Sequence, residues 1–230
     1  WMNVDKWRAC GQAVDGEGLR GRICYSGLDL ASTTDIAAHV LVFPATKKGD
    51  PFQALCRFYI PEESMRLRSK RDRVPYEAWV RQGYIQATPG DVIDYDFILA
   101  DIEEDADRYD LREIAYDRWG ATQMSQDLRE RGFEVVEFGQ GFASMSPAMK
   151  ALERMVLAGE LAHGGNPVLT WMADNLVARQ DPAGNIKPDK ERSFEKIHGM
   201  VALIMALDRA IRNEGKPQKS VYEERGIRTL

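Results

Sequence analysis

Several features that would define common protein classes are missing from this sequence. No apolar run approaches the ~20 residues that span a bilayer, so no transmembrane helix is predicted. The opening residues, from Trp1 to Lys6, do not have the profile of a signal peptide. The three cysteines, Cys10, Cys24 and Cys56, match no metal-ligand spacing and cannot all pair. We therefore expect reduced thiols in a cytoplasmic protein that is neither secreted nor bound to a membrane.

A nucleotide-binding loop is also missing. No segment matches Gly-x-x-x-x-Gly-Lys-Ser/Thr, the pattern in which backbone N–H groups and a lysine bind phosphates. The segment 16–21 is rich in glycine but lacks that lysine. The sequence therefore predicts that this chain neither binds nor hydrolyses ATP.

Charges of both signs are present, but they are unevenly distributed. The 31 basic and 36 acidic residues give a net charge of −5 at pH 7, which on its own disfavours a nucleic-acid partner. Bases concentrate in 66–73 and again in 209–228, whereas acids concentrate in 101–107. A metal-dependent nuclease needs carboxylates at its centre and bases at its rim, and these clusters are compatible with that arrangement. Solvated surface faces explain each cluster, taken alone, equally well.

The pattern of apolar residues and turn residues predicts an α/β protein. Three strands at about 22–29, 36–44 and 53–60 are separated by turn residues and form an antiparallel meander. An N-terminal segment at 1–21, helical at first, precedes these strands. A basic loop follows them, with a short helix that begins at Pro75. The later predicted elements are an extended piece at 84–87, a helix at 94–109, a strand at 112–117, a helix at 120–131, a strand at 133–138, helices at 146–158 and 167–174, a hairpin at 177–187 and a last helix at 193–213. Antiparallel strands followed by alternating helices and strands predict a mixed sheet with helices on both faces.

Two predicted strands end in a carboxylate. Asp29 closes the apolar run that begins at Ile23, and Asp117 closes the strand at 112–117. Burying a carboxylate is costly unless it is paired or binds a metal. If the two strands are neighbours, the acids meet at one edge of the sheet and form a divalent-metal site suited to phosphoryl chemistry. The alternatives are that Asp29 caps a turn and that Asp117 caps the helix near Gly120.

A third ligand is expected from a helix beside the sheet. Glu195 and His198 lie one turn apart at the start of the last predicted helix, so their side chains can point the same way. A histidine on a helix is also commonly a satisfied polar contact, and that alternative stays open.

Five segments of the sequence occur in a recognisable order, at 27–35, 88–95, 115–119, 185–190 and 195–203. Together they resemble the nuclease domain of the large terminase subunit of tailed bacteriophages, the motor that packages DNA into procapsids. The resemblance covers nearly the whole chain. It implies an RNase H-like fold, with about five core strands and a C-terminal hairpin, whose acids use Mg²⁺ or Mn²⁺ to cut concatemeric DNA.

The resemblance assigns Asp29 and Asp117 as the first and second metal-binding acids. The family usually has an aspartate at the third position, where this chain has His198. Neutral imidazole brings no negative charge and favours softer ions, so we expect a preference for Mn²⁺ over Mg²⁺, with one or two ions bound. Candidate auxiliary acids are Glu195, Asp174 and Asp189, and candidate DNA contacts are Lys187, Lys190, Arg66, Arg68, Lys70 and Arg71.

The same resemblance divides the chain and suggests its partners. Residues 1–21 are expected to be the end of a linker from a missing ATPase domain, 22–213 the nuclease domain and 214–230 a basic tail. The expected partners are double-stranded DNA and, in the full motor, the terminase small subunit and the portal, in the host cytoplasm. Two alternatives remain: a junction resolvase or transposase core of the RNase H-like group, or a docking module with a degenerate metal site.

Overall fold

The computed structural model describes residues 1–30, 35–117, 122–189, 191–193 and 196–214. Its elements follow the predicted order, except that a helix at Glu62–Asp72 and a two-residue strand at Leu161–Ala162 were not predicted. In chain order they are α1 (Val4–Ala9), β1 (Ile23–Asp29), β2 (Ala37–Phe43), β3 (Phe52–Pro61), α2 (Glu62–Asp72), α3 (Tyr76–Arg81), β4 (Gln86–Thr88), α4 (Tyr95–Arg108), β5 (Asp110–Tyr116), α5 (Thr122–Glu130), β6 (Val135–Glu137), α6 (Phe142–Ala158), β7 (Leu161–Ala162), α7 (Pro167–Asn175), β8 (Ala178–Gln180), β9 (Ile186–Pro188) and α8 (His198–Arg212).

The main sheet is mixed, as the sequence predicted. Its strand order is β4-β3-β2-β1-β5-β6, with β7 also paired to β3, and β8 and β9 form a separate hairpin. Strands β1 to β3 are an antiparallel meander, whereas β5 and β6 run parallel to β1. Strand β4 runs parallel to β3. Strands β1, β3, β4, β5 and β6 therefore all end at one edge of the sheet, which we call the carboxyl edge.

Helices cover both faces of the sheet, which confirms the predicted layers. On one face α8 packs along β1, β2 and β5, and α1, α6 and α7 complete that half of the core. On the other face α4 and α5 bury apolar side chains against the same strands. Among the described helices, none is long and apolar enough to cross a membrane.

Close contact between β1 and α8 requires a glycine at position 27. A Cβ on Gly27 would lie 2.0 Å from the carbonyl oxygen of Ala202, so no side chain fits between strand and helix. Helix α8 runs antiparallel to β1, because its first residue, His198, contacts Asp29 at the end of the strand. This packing places the start of α8 at the carboxyl edge.

On the opposite face, partly buried polar contacts attach α4 to β3. The guanidinium of Arg57 donates two hydrogen bonds to Asp105, at 2.9 and 2.6 Å. The Tyr59 hydroxyl donates to Asp101 over 2.7 Å. Ordered pairs of this kind satisfy carboxylates that would be costly to bury alone.

The segment 1–21 packs against the rest of the domain. Trp7 in α1 is fully buried, stacks on His163 with ring centroids 4.1 Å apart, and donates its indole N–H to Thr170. Cys10 and Cys24 are buried and Cys56 is half-buried, and all three are free thiols. That this segment is the end of a linker from an ATPase domain stays a prediction.

One predicted element type and the predicted starts of two helices were wrong. The expected basic loop after β3 is helix α2, which begins directly after Pro61 with two acids in its first turn, a favourable arrangement for the helix dipole. Helix α6 begins four residues before Ser146, and Pro147 lies inside it. Helix α8 begins at His198 rather than Ser193, because the Ser193 hydroxyl donates to the carbonyl of Asp189 and accepts from the N–H of Val177.

Candidate active site

Asp29 and Asp117 lie side by side at the carboxyl edge. Leu28 of β1 is paired with Tyr116 of the parallel strand β5, so each aspartate is the next residue along its strand. Neighbouring strands are about 4.8 Å apart, which places the two backbones next to each other. Both residues are buried, at 3 % and 8 % exposure. The structure therefore confirms that strand β1 and the strand before Asp117 are neighbours.

His198 lies between two carboxylates. Its Nδ1 is 3.1 Å from Oδ2 of Asp29, and its Nε2 is 3.7 Å from Oδ2 of Asp35. Burial alone would lower the pKa of this imidazole, but the two carboxylates outweigh burial and raise the pKa to about 9. In this arrangement His198 is an imidazolium at neutral pH and acts as a counter-charge to the acids.

Asp35 is a site residue that the sequence did not reveal. Its carboxylate is 2.7 Å from the ammonium of Lys196 and 3.7 Å from the guanidinium of Arg68. Burial opposes ionisation, yet hydrogen bonds from His198 and Lys196 hold the pKa of Asp35 well below its usual range. The only sequence signal was a second acid six residues after Asp29, across a short polar segment.

The donor set at this edge suits a hard divalent cation. Asp29 and Asp117 offer carboxylate oxygens from adjacent strands, and Asp35 adds a third carboxylate within reach of the same imidazole. Within the described ranges, however, no group of three or more His, Cys, Asp or Glu side chains is already arranged as ligands of one ion. The contacts in the structure are ion pairs, with His198, Lys196 and Arg68 balancing Asp29 and Asp35.

The candidate auxiliary acids have other surroundings. Asp174 is exposed and lines a cavity of about 460 Å³ together with Arg8 and Trp171. Asp29, Asp117 and His198 do not line that cavity. Oδ1 of Asp189 accepts hydrogen bonds from the backbone N–H groups of residues 191 and 192, so it stabilises a turn. Glu195 lies outside the described residues.

Of the candidate DNA contacts that the structure describes, four lie in α2 and one lies in β9. Arg66 and Lys70 on α2 are exposed, whereas Arg68 is buried and directed at Asp35, and Arg71 forms an ion pair with Asp72 at 2.6 Å. Lys187 in β9 lies 5.1 Å above the ring of Phe142, at the start of α6. Lys190 lies outside the described residues.

A mixed sheet with helices on both faces and two acids at neighbouring strand ends is the arrangement of a domain with the RNase H-like fold. More particularly, the chain belongs to the family described as the terminase large subunit, endonuclease domain, whose model matches residues 1–214.

Individual relatives agree with this membership. The chain is 39% identical to the terminase large subunit of Enterobacteria phage HK97 over 206 residues, which are 89% of this chain and 40% of that protein. The crystal structure of the HK97 large terminase superposes with a TM-score of 0.82 at 38% identity, covering 90% of this chain and 43% of that one. The chain thus spans about two fifths of these relatives. The large terminase nuclease from phage G20c, solved with bound magnesium, shares the fold alone, with a TM-score of 0.53 at 12% identity over 83% of this chain and 84% of that one.

Proposed function

We propose that this chain is a divalent-metal-dependent DNA endonuclease that cuts concatemeric viral DNA during genome packaging. The observation that carries the proposal is the pair of buried aspartates, Asp29 and Asp117, at adjacent strand ends in a domain of the terminase endonuclease family. The proposed setting is the host cytoplasm, with double-stranded DNA as substrate and the terminase small subunit and portal as partners in the whole motor.

Asp29 and Asp117 are the proposed ligands of Mg²⁺ or Mn²⁺, and His198 is the proposed third member of the site. When bound, such an ion stabilises negative charge on a phosphodiester oxygen and makes water a stronger nucleophile at neutral pH. We propose that one or two such ions bind.

The remaining residues position these ligands. Because α8 packs on β1 through Gly27, His198 is held within hydrogen-bonding distance of Asp29. Lys196 and Arg68 form ion pairs with Asp35, and hydrogen bonds from His198 and Lys196 keep its carboxylate ionised. The buried setting of the two strand-end acids strengthens their attraction for a cation, since water screens it less there.

Cleavage of a supercoiled plasmid in Mn²⁺ tests the proposal directly. We expect Asp29→Ala and Asp117→Ala each to reduce the nicking rate by at least about 100-fold, which corresponds to about 2.7 kcal/mol of lost transition-state stabilisation. Asp50→Ala is the matched control, because Asp50 is an exposed acid in the turn between β2 and β3, on the opposite edge of the sheet. A wild-type protein that does not nick DNA in either metal, or an Asp29 variant that nicks it normally, contradicts the proposal.

Two further outcomes distinguish the alternatives. Faster cleavage of branched DNA than of linear duplex favours a resolvase-like or transposase-like enzyme. Metal-independent binding to DNA or portal with no cleavage favours a docking module, in which case the basic tail at 214–230 becomes the candidate contact. We also expect no ATP hydrolysis by this chain.

A further inference from the structure

Helix α2 begins at the carboxyl edge, beside the acids. Strand β3 runs parallel to β1, and α2 starts at Glu62, directly after the last residue of β3. The helix carries four bases and its C-cap residue, Arg73, is a fifth. The topology therefore places a short basic helix next to the proposed catalytic centre.

One side of α2 faces that centre. Arg68 is 7 % exposed, and its guanidinium lies 3.7 Å from Asp35, the residue that also contacts Lys196 and His198. Arg68 thus fixes the orientation of α2 relative to the acids. Because this guanidinium is buried and paired, it is not available to a ligand at the surface.

The other side of α2 presents unpaired cations to solvent. Arg66, Lys70 and Arg73 are exposed. Arg66 and Lys70 are four residues apart and lie on one side of the helix, and Arg73 follows at its C-cap. Among the acids that the structure describes, none forms an ion pair with any of these three. We call them the outer stripe. Arg71, by contrast, is neutralised by Asp72.

The dimensions of the outer stripe suit a nucleic-acid backbone. With a rise of about 1.5 Å per residue, Arg66 and Arg73 are about 10 Å apart along the axis. One strand of duplex DNA carries a phosphate every ~3.4 Å along its axis, so the stripe spans about three phosphates. Contacts of this kind position a duplex and carry no sequence information.

We propose that α2 is the substrate-positioning helix of this domain. The outer stripe of Arg66, Lys70 and Arg73 binds the phosphate backbone of duplex DNA. The contact between Arg68 and Asp35 fixes the position of the bound DNA relative to the acids. This inference rests on the proposed nuclease function and adds which surface orients the substrate.

A matched pair of double variants tests the inference. R66Q/K70Q removes two positive charges from the outer stripe. K47Q/K48Q removes two positive charges from the exposed turn after β2, on the opposite edge of the sheet. Binding of a fluorescent duplex is measured by anisotropy at several salt concentrations without divalent metal, so that no cleavage occurs. Plasmid nicking in Mn²⁺ then gives kcat and KM, and thermal unfolding checks that each variant is folded.

We expect R66Q/K70Q to weaken duplex binding about 10- to 100-fold near 0.1 M salt and to lower the slope of log K against log salt by about two. KM should rise by a similar factor while kcat stays within about twofold, because the acids are untouched. Adding R73Q should weaken binding about tenfold more. K47Q/K48Q should match the wild type within about twofold.

Other outcomes overturn the inference. Unchanged affinity and KM in R66Q/K70Q, or equal losses in both double variants, would show that the outer stripe has no special role. If the wild type cuts DNA and the stripe variant cuts it with the same KM, only the inference about α2 fails. If the wild type does not cut DNA at all, the proposed function fails instead.

Discussion

His198 lies where the resemblance to terminase nucleases implies an aspartate as the third member of the site. In the structure its two ring nitrogens face Asp29 and Asp35, so it neutralises acids that would otherwise repel one another. If the ring loses its proton to water when a cation binds, it would offer a nitrogen ligand, which suits Mn²⁺ better than Mg²⁺. The two roles, counter-charge and ligand, predict different metal preferences of DNA nicking when the ring is replaced.

We expect His198→Asp to shift the metal preference of DNA nicking toward Mg²⁺, because the variant supplies a charged oxygen ligand where the wild type has a nitrogen. The measurement is the ratio of nicking rates in saturating Mn²⁺ and Mg²⁺. His198→Asn is the control, since it removes the ring without adding charge. An unchanged ratio in His198→Asp counts against direct ligation by His198.

At the scale of single residues, the sequence identified the acids that end buried strands but not their neighbours. Asp29 and Asp117 were predictable because a carboxylate after an apolar run is unusual. The roles of Asp35, Lys196 and Arg68 were not predictable, because they depend on ion pairs between parts of the chain far apart in sequence. Only the fold shows that these side chains meet.

At the scale of elements, α8 and α2 show why some helices are easier to predict than others. Helix α8 was expected from its regularly spaced apolar residues, nearly all of which are buried. Helix α2 has only two apolar residues, Met65 and Leu67, so its sequence has no apolar stripe, and its basic composition suggested a loop. Charge composition indicated a functional surface there without indicating its secondary structure.

The fit between β1 and α8 makes Gly27 critical. We expect Gly27→Ala to destabilise the protein by about 1–3 kcal/mol or more, because the new methyl group would overlap the backbone of Ala202 and push α8 away from the strand. Urea unfolding measures this loss. We also expect reduced nicking, since displacement of α8 moves His198 away from Asp29.

Gly141→Ala is the matched control for this prediction. Gly141 has a negative φ, and among the described residues no atom of a non-adjacent residue lies within 4 Å of its Cβ position. The substitution should therefore cost less than about 1 kcal/mol, the value typical of an altered helix N-cap. Equal stability losses in the two variants would contradict the proposed close contact.

At the scale of the whole molecule, the site arises from the directions of the strands. Of the strands that the structure describes, five end at the carboxyl edge, and α2 and α8 begin there, so acids, imidazole and bases lie close together. The sequence predicted the mixed sheet and the helices on both faces. It did not determine that the two acid-bearing strands are neighbours, because pairing between distant strands depends on contacts across the whole sheet. That the structure places them together is the strongest support for a shared metal site.

Anomalous diffraction from a crystal soaked in Mn²⁺ would test the shared site most directly. We predict a manganese peak in contact with carboxylate oxygens of both Asp29 and Asp117, and loss of that peak in Asp29→Ala. A soaked crystal with no manganese at the carboxyl edge, or with an ion that contacts only one of the two aspartates, would contradict the account.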